Sequence, residues 1–402
     1  MEQNLKAQQR LEAGKLSPRT IGGMLVVGHG VKHFFNAGFF VLLPELQIHL
    51  GLNNSAIGVL STIRTVGSGV ANFPAGYITD RLTNHWAPIL GLSIIAVGLF
   101  HFLMGISTAY WLLVLTSTLA SVGITFWHPP AIAALSQMFP RKKGFAIAMH
   151  GTGGSVGEAL GPISVGALLG LLLWRTVLQI GVIPAVVMGV LAWTMMKGFH
   201  GESGGPTSFK TYLLAVAQLV RSPALVTVLI VTAGFSSIQA IVMTFLPIYL
   251  RVDLEYSAFK MSAFLSAAQI IGVASQPIMG YLSDRFGRNA VILPSMALLG
   301  VAVLAIPAVA PGWQLLLVVM GMGAFVFSLM SIFLAAAMDV AEGDVPATTV
   351  SLVFGAAVVF SSFTPGVAGV LADMYGIVSV FPLAAGIAFV AAGYGVVRSI
   401  LR

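Results

Sequence analysis

Long apolar runs follow one another along this chain and are separated by short polar or basic stretches. A helix that crosses a bilayer needs about 20 apolar residues, and each run has roughly that length. Several connections are only a few residues long, so neighbouring helices must run antiparallel. The pattern predicts about twelve transmembrane helices, at 21–48, 55–79, 86–107, 110–138, 143–171, 174–198, 223–250, 258–281, 289–309, 312–339, 346–372 and 376–398.

The two halves of the chain look like copies of one another. GYITDR at 76–81 is answered by GYLSDR at 280–285, and Pro162 in the fifth run is matched by Pro365 in the eleventh. Such a long repeat fits a carrier built from two bundles that hold a solute between them. We predict a cytoplasmic tail, a first six-helix bundle, a cytoplasmic linker and a second six-helix bundle, at 1–20, 21–198, 199–222 and 223–402.

Composition places most of the molecular surface against lipid. Of the 402 residues, 57% are hydrophobic and 8% are charged, whereas a soluble domain has about 25% charged residues. Little chain remains for a domain outside the membrane, so we predict that the protein is not an enzyme and needs no cofactor. There is no cysteine, which excludes disulfides and thiolate metal sites.

Basic residues are distributed unequally between the two sides. If the N-terminus is cytoplasmic, most Lys and Arg between the apolar runs lie on the cytoplasmic side, as membrane orientation requires. This placement accounts for the net charge of +7 without a nucleic-acid partner. We expect a multi-pass protein of the cell inner membrane, in contact with lipid, with both termini in the cytoplasm.

The loop sequence GYLSDRFGR at 280–288 and its partial copy at 76–81 resemble a motif of the major facilitator superfamily. The resemblance covers about 20 to 400. It implies an all-α integral membrane protein, of two pseudo-symmetric six-helix bundles, that works as a monomer by alternating access. It also implies a set of residues that control conformational switching: Asp80, Arg81, Asp284, Arg285, Arg288, Gly157, Gly161 and Pro162.

The fifth apolar run is rich in glycine. Gly153, Gly157 and Gly161 repeat every four residues, which gives a bare helix face for close packing. Pro162 follows and permits a kink. The run resembles the antiporter motif of proton-coupled drug exporters. The longer segment at 126–162 resembles the fosmidomycin-resistance branch, which implies export of a small phosphonate or another organic anion.

Several polar side chains fall inside the apolar runs. A charge at the bilayer centre costs at least about 2.5–3.5 kcal/mol, so these groups must face a cavity or one another. We predict that substrate is bound by Lys32, Arg64, His29, His33, Asn36, His128, Gln239 and Gln269. Glu158 and His150 are the predicted proton-coupling residues.

The residues leave several alternatives open. Glu158 could instead form a permanent structural ion pair with Lys32 or Arg64. His29 and His33 stand four residues apart and could ligate a metal, but no companion ligand is evident, so no metal is expected. The predicted function is proton-coupled antiport that exports a small organic anion or drug. A proton-linked uptake symporter and a non-transporting receptor or assembly subunit of the same fold are the alternatives.

Overall fold

The computed structural model describes residues 16–199, 201, 221–340 and 346–400. Every regular element within these ranges is a helix. In this described part of the chain, ten helical stretches are long and apolar enough to cross a membrane. The helices Asn54–Arg81 and Lys143–Leu169 have 28 and 27 residues, which is also sufficient length for a crossing. The all-helical membrane fold predicted from the sequence is confirmed.

Among the described residues, the first half contains eight α-helices, and their order follows the predicted runs. A short 3₁₀ turn precedes α3 and another precedes α6. The bounds are α1 Pro18–Leu50, α2 Asn54–Arg81, α3 Trp86–Ile106, α4 Tyr110–Phe126, α5 His128–Met138, α6 Lys143–Leu169, α7 Trp174–Ile180 and α8 Val182–Met196.

The second half also contains eight α-helices among the described residues. A π-helical turn, Tyr249–Asp253, continues α9. The bounds are α9 Pro223–Ile248, α10 Ala258–Phe286, α11 Arg288–Ala305, α12 Trp313–Val326, α13 Leu329–Val340, α14 Pro346–Ser361, α15 Thr364–Tyr375 and α16 Val380–Ile400.

Four of the predicted runs consist of two helices rather than one. The run at 110–138 is divided at Trp127, directly before His128 and two prolines. Proline lacks a backbone N–H and clashes with the preceding turn, so it begins a new helix more readily than it continues an old one. The run at 346–372 is divided in the same way before Pro365.

The chain divides into two compact units. The first comprises Met1–Phe39 and Gly67–Pro206, and the second comprises Phe40–Val66 and Thr207–Arg402. The helices α1 and α2 therefore each contribute to both units. The predicted tail lies largely outside the described residues, as does the linker, and the predicted domain boundaries stay a prediction.

The first unit has an apolar core between α1, α3, α5 and α8. Trp86 and Trp127 are fully buried there. The helices α3 and α8 approach closely because Gly91 and Gly189 have no side chains at their contact. Small residues at such contacts let helix backbones approach within the membrane.

The second unit is organised around α9, which packs on α14 and α16. A smaller core joins α9, α13 and α14 through Leu225, Leu229, Ala337 and Val353. Close packing of α10 on α12 depends on Gly323, whose hypothetical Cβ would overlap the backbone of Ala268.

Candidate functional site

The helices α1 and α6 lie in backbone contact along several turns. A Cβ placed on Gly157 would overlap the carbonyl oxygen of Gly30, and one placed on Gly161 would lie 2.6 Å from the carbonyl oxygen of Phe34. The glycine repeat read in the sequence therefore faces α1. Because no side chain separates the two helices, polar groups on one reach those on the other directly.

Six polar side chains meet beside this contact within the first unit. Three are on α1, one is at the start of α5 and two are on α6. We call this group the histidine cluster: His29, Lys32, His33, His128, His150 and Glu158.

A chain of hydrogen-bonding contacts runs through the histidine cluster from α6 to α1 and back. The Nδ1 atom of His33 lies 2.6 Å from Oε1 of Glu158. Its Nε2 atom lies 3.1 Å from Nε2 of His29. The Nδ1 atom of His29 then lies 2.6 Å from the carbonyl oxygen of His150. One carboxylate, two imidazoles and a backbone carbonyl are thus connected in series.

The remaining members pack around that chain. The His150 ring is stacked on the His29 ring with centroids 3.8 Å apart. Both ring nitrogens of His150 are buried. The Lys32 ammonium contacts Nε2 of His128. Lys32 is 1% exposed, and His128 is its only hydrogen-bond partner in the described part of the chain.

These contacts bear on the structural ion pair that the sequence left open. Glu158 hydrogen-bonds His33, and Lys32 contacts His128, so Lys32 and Glu158 do not form a direct pair in the part of the chain that is described. Lys32 is therefore a buried cation that contacts one imidazole, and Glu158 is a carboxylate that contacts another.

Three imidazoles also offer nitrogens that lie within 4.8 Å of one another, on His29, His33 and His128. That spacing alone would suit a metal ion. Here the Nε2 atoms of His29 and His33 face each other, and the Lys32 ammonium, which would repel a metal cation, contacts His128. The expectation of no metal stays a prediction.

The other predicted binding residues lie elsewhere. Asn36 follows the cluster on α1 and is partly buried. Arg64 belongs to the second unit, where its guanidinium carbon lies 5.6 Å from the ring centroid of Phe40. Gln239 donates to the carbonyl oxygen of Val326. Gln269 is 2% exposed, and its side-chain oxygen has no hydrogen-bond partner among the described residues.

The predicted switching residues of the second half form a local network. Arg288 donates to Asp284 and, from Nε at 2.8 Å, to Asp339. Arg285 donates to the Tyr281 hydroxyl at 3.1 Å. In the first unit, Asp80 and Arg81 are exposed at the end of α2, and Arg81 lies over the Tyr77 ring. Pro162 is buried within α6.

Two polar contacts of the second unit were not anticipated. Arg251 donates from Nε to Glu45 at 2.7 Å. The carboxylate of Asp373 accepts the backbone N–H groups of Asn54 and Ser55 at 2.8 and 2.9 Å. An acidic residue within an otherwise apolar run, as at Glu45, is the signal that could have indicated the first of them.

Comparison with known proteins identifies the relatives of this chain. The fosmidomycin resistance protein of Escherichia coli is 23% identical over 90% of this chain and 89% of its own length. The membrane sensor protein UhpC of the same species is 28% identical over 171 residues, which are 42% of this chain and 38% of the sensor. The chain thus matches well under half of that second relative.

Solved structures agree on the fold. A bacterial homologue of the human lysosomal transporter Spinster superposes with a TM-score of 0.81 over 96% of this chain and 98% of its own, at 15% identity. The family model for the Major Facilitator Superfamily matches residues 25–363 and 270–399. The predicted resemblance and the prediction of a non-enzyme are confirmed. The chain therefore belongs to the Major Facilitator Superfamily and is a multi-pass membrane protein.

Proposed function

We propose that this transporter carries a small organic anion and couples its movement to protons through the histidine cluster. The observation that supports the proposal most directly is the presence, in one buried group, of a cation and a carboxylate that each contact an imidazole and form no direct ion pair with each other in the described part of the chain. Histidine exchanges protons near neutral pH, which suits it to this position.

Lys32 is the proposed anion anchor. Its ammonium has three donors, yet its hydrogen-bond partner among the described residues is one imidazole nitrogen. A buried charge without a counter-ion is costly, so an incoming anionic group would relieve that cost. Because Lys32 is covered in this conformation, the anion would reach it when the ammonium leaves His128. A phosphonate or carboxylate has the acceptors required.

Export by proton antiport is the proposed mode. Two observations support it: the similarity to the fosmidomycin resistance protein extends over 90% of the chain, and α6 has the glycine–proline sequence that resembles the antiporter motif. The proposed location is the cell inner membrane with cytoplasmic termini, following the distribution of basic residues. The proposed state is a monomer.

Uptake by proton symport is the second candidate, and the charges of the cluster favour it. Opposite charges attract at close range, so a proton bound near Glu158 and an anion bound near Lys32 would stabilise each other. Binding of that kind moves both species in the same direction. A competing arrangement, in which the anion expels the proton, is what antiport requires.

A receptor role is the third candidate. The observation that favours it is the partial match to a protein named as a membrane sensor. A receptor would bind the anion without moving it. Proton and solute fluxes separate this candidate from the first two.

The test is proton flux in proteoliposomes loaded with a pH-sensitive dye and exposed to small phosphonates, carboxylates and cationic drugs. Proton movement opposite to an added anion supports antiport, movement with the anion supports symport, and anion binding without flux supports a receptor. We expect Glu158→Gln to abolish proton movement and Lys32→Gln to weaken anion binding at least tenfold. Glu255→Gln and Lys260→Gln, which change exposed groups of the same types, are the matched controls.

Retained proton coupling in Glu158→Gln would contradict the carrier assignment. Responses to cationic drugs alone would contradict the anion assignment of Lys32. Either outcome would leave the transporter fold unaffected, since the family match does not depend on the cluster.

A further inference from the structure

We propose that Glu158, His33 and His29 hold one proton jointly, as a closed relay that opens to its surroundings at its Glu158–His33 end. The inference rests on the proposed proton coupling and goes further, because it assigns the number of protons, the atoms that hold them and the residues that are indispensable. It follows from which atoms in the chain of contacts can donate.

The fixed point of the relay is the backbone carbonyl of His150. A carbonyl oxygen only accepts hydrogen bonds, so Nδ1 of His29, at 2.6 Å, must have a proton. The two further contacts, His33 to His29 and Glu158 to His33, each need one proton between their two atoms. Three contacts in series therefore need three protons.

Three protons are one more than these groups contain when both imidazoles are neutral and the carboxylate is ionised. Two neutral imidazoles contribute one proton each, and an ionised carboxylate contributes none. With all three contacts formed, the relay has one additional proton and a net charge of zero. The proton can be placed on Glu158, on His33 or on His29 without changing that total. It belongs to the group and not to one residue.

The three side chains of the relay differ in exposure, and this difference indicates the end at which protons enter. The side chain of Glu158 is 31% exposed and that of His33 is 20% exposed, whereas His29 is 5% exposed as a residue. At the inner end the His150 carbonyl accepts a hydrogen bond but does not pass a proton on. Protons therefore enter and leave at the Glu158–His33 end, and the relay stores one proton without conducting it across the cluster.

The groups that face the relay limit it to a single proton. Lys32 lies on α1, the helix that also contains His29 and His33. The His128 ring, on α5, and the His150 ring, on α6, pack against the His29 ring. Of these, the Lys32 ammonium disfavours a second positive charge nearby. One proton neutralises Glu158, and a further proton would find no carboxylate in the relay to neutralise.

Release of the stored proton must open one of the contacts. Two protons cannot fill three gaps, so two lone pairs would face each other either between His33 and Glu158 or between the imidazoles 3.1 Å apart. Those atoms repel until a ring turns or the helices shift. Proton loss is thereby linked to a change at the contact of α1 with α6, and this is the link that coupled transport needs.

The test is an infrared pH titration of the complete purified protein, with isotope-labelled histidine to identify imidazole bands. We expect one protonation step in which the Glu158 carboxyl band and the His33 band change together, with the same midpoint. Glu158→Gln should remove both changes, and the control His85→Gln, which alters an exposed histidine outside the cluster, should remove neither. Two separate steps, with one proton taken up by each residue, would overturn the relay.

Proton flux with an active substrate gives a second readout that separates this inference from the proposed function. We expect His33→Gln to lose at least nine tenths of proton-coupled flux, as Glu158→Gln does. Full flux in His33→Gln together with loss in Glu158→Gln would refute the relay and leave proton coupling at Glu158 intact. Full flux in both would refute the relay and the proposed coupling together.

Discussion

The two units hold their buried polar groups in different ways. In the first unit, the histidine cluster links a carboxylate to imidazoles, and its cation contacts another imidazole. In the second, Glu45 is 7% exposed and is bound directly by the guanidinium of Arg251. Arginine stays charged under all ordinary conditions, whereas an imidazole gains or loses a proton near neutral pH.

This difference separates contacts that are proposed to exchange protons from contacts that only stabilise the fold. The Glu45–Arg251 pair and the Asp373 carboxylate both join residues 40–66 to later parts of the second unit. These contacts join carboxylates to a guanidinium and to backbone N–H groups, so we expect their contribution to be structural. The cluster instead joins its carboxylate and its ammonium to imidazoles, which are the groups that the proposed proton coupling uses. Substitutions in the two regions should therefore have different effects on the free energy of unfolding.

The largest effect is expected where the cluster depends on helix contact. Gly157→Val would place side-chain atoms on the Gly30 carbonyl and force α1 and α6 apart. We expect a loss of about 3 kcal/mol in the free energy of unfolding, measured by titration with SDS in mixed micelles. Gly151→Val is the matched control, since nothing lies within 4 Å of its hypothetical Cβ. Equal stability of the two variants would contradict the close contact.

The next effect distinguishes the two cations. Arg251→Met leaves the buried Glu45 carboxylate with only the more distant His49, whose Nδ1 lies 3.7 Å from Oε2, and should cost about 2–3 kcal/mol. Lys32→Met removes a buried charge that has no carboxylate partner, so stability should stay unchanged or rise. The same SDS titration measures both. A large loss in Lys32→Met would mean that Lys32 is structural.

A double variant sharpens this test. Replacing both members of the pair, as Glu45→Leu with Arg251→Met, removes the unpaired carboxylate and should recover most of the lost stability. No recovery would indicate that the two side chains stabilise the unit through packing and not through their charges.

A smaller effect is expected at Asp373. Its carboxylate accepts hydrogen bonds from two backbone N–H groups at the start of α2. It therefore caps that helix from a distant part of the chain. Asp373→Ala should cost about 1 kcal/mol in unfolding free energy. Asp373→Asn keeps one acceptor oxygen and should cost less. Equal losses in the two variants would show that charge, and not hydrogen bonding, stabilises this contact.

The smallest effect is expected at the exposed network around Arg288. The side chain of Asp339 is 53% exposed, and surface ion pairs contribute little. Asp339→Asn should change the unfolding free energy by less than about 0.5 kcal/mol, with any difference reduced further by added salt. A loss above about 1 kcal/mol would mean that this contact is as important to stability as the buried pair.

The sequence was sufficient to predict the membrane fold. Apolar runs of bilayer length determine that helices form, and the paired loop motifs indicated the family, which the family match confirms. The interruptions at Trp127 and before Pro365 were not predicted, because hydrophobicity continues through them and only the prolines indicate a break.

The sequence indicated which residues could form a site but not their connections. Glu158 and His33 are 125 residues apart, and their contact depends on the rotation of two helices about their axes. The glycine repeat showed that α6 has a packed face without showing that its neighbour is α1. Glu45 was missed because its partner, Arg251, lies far along the chain. The roles assigned to the cluster stay predictions.

The contact of Gly30 with Gly157 has a mechanical consequence. A hinge needs clearance between its parts, and here the two backbones meet with no room for even one methyl group. The two helices can therefore slide along each other, turn or separate at this contact, but they cannot move closer together. The shift that proton release requires between α1 and α6 must be a movement of one of those kinds.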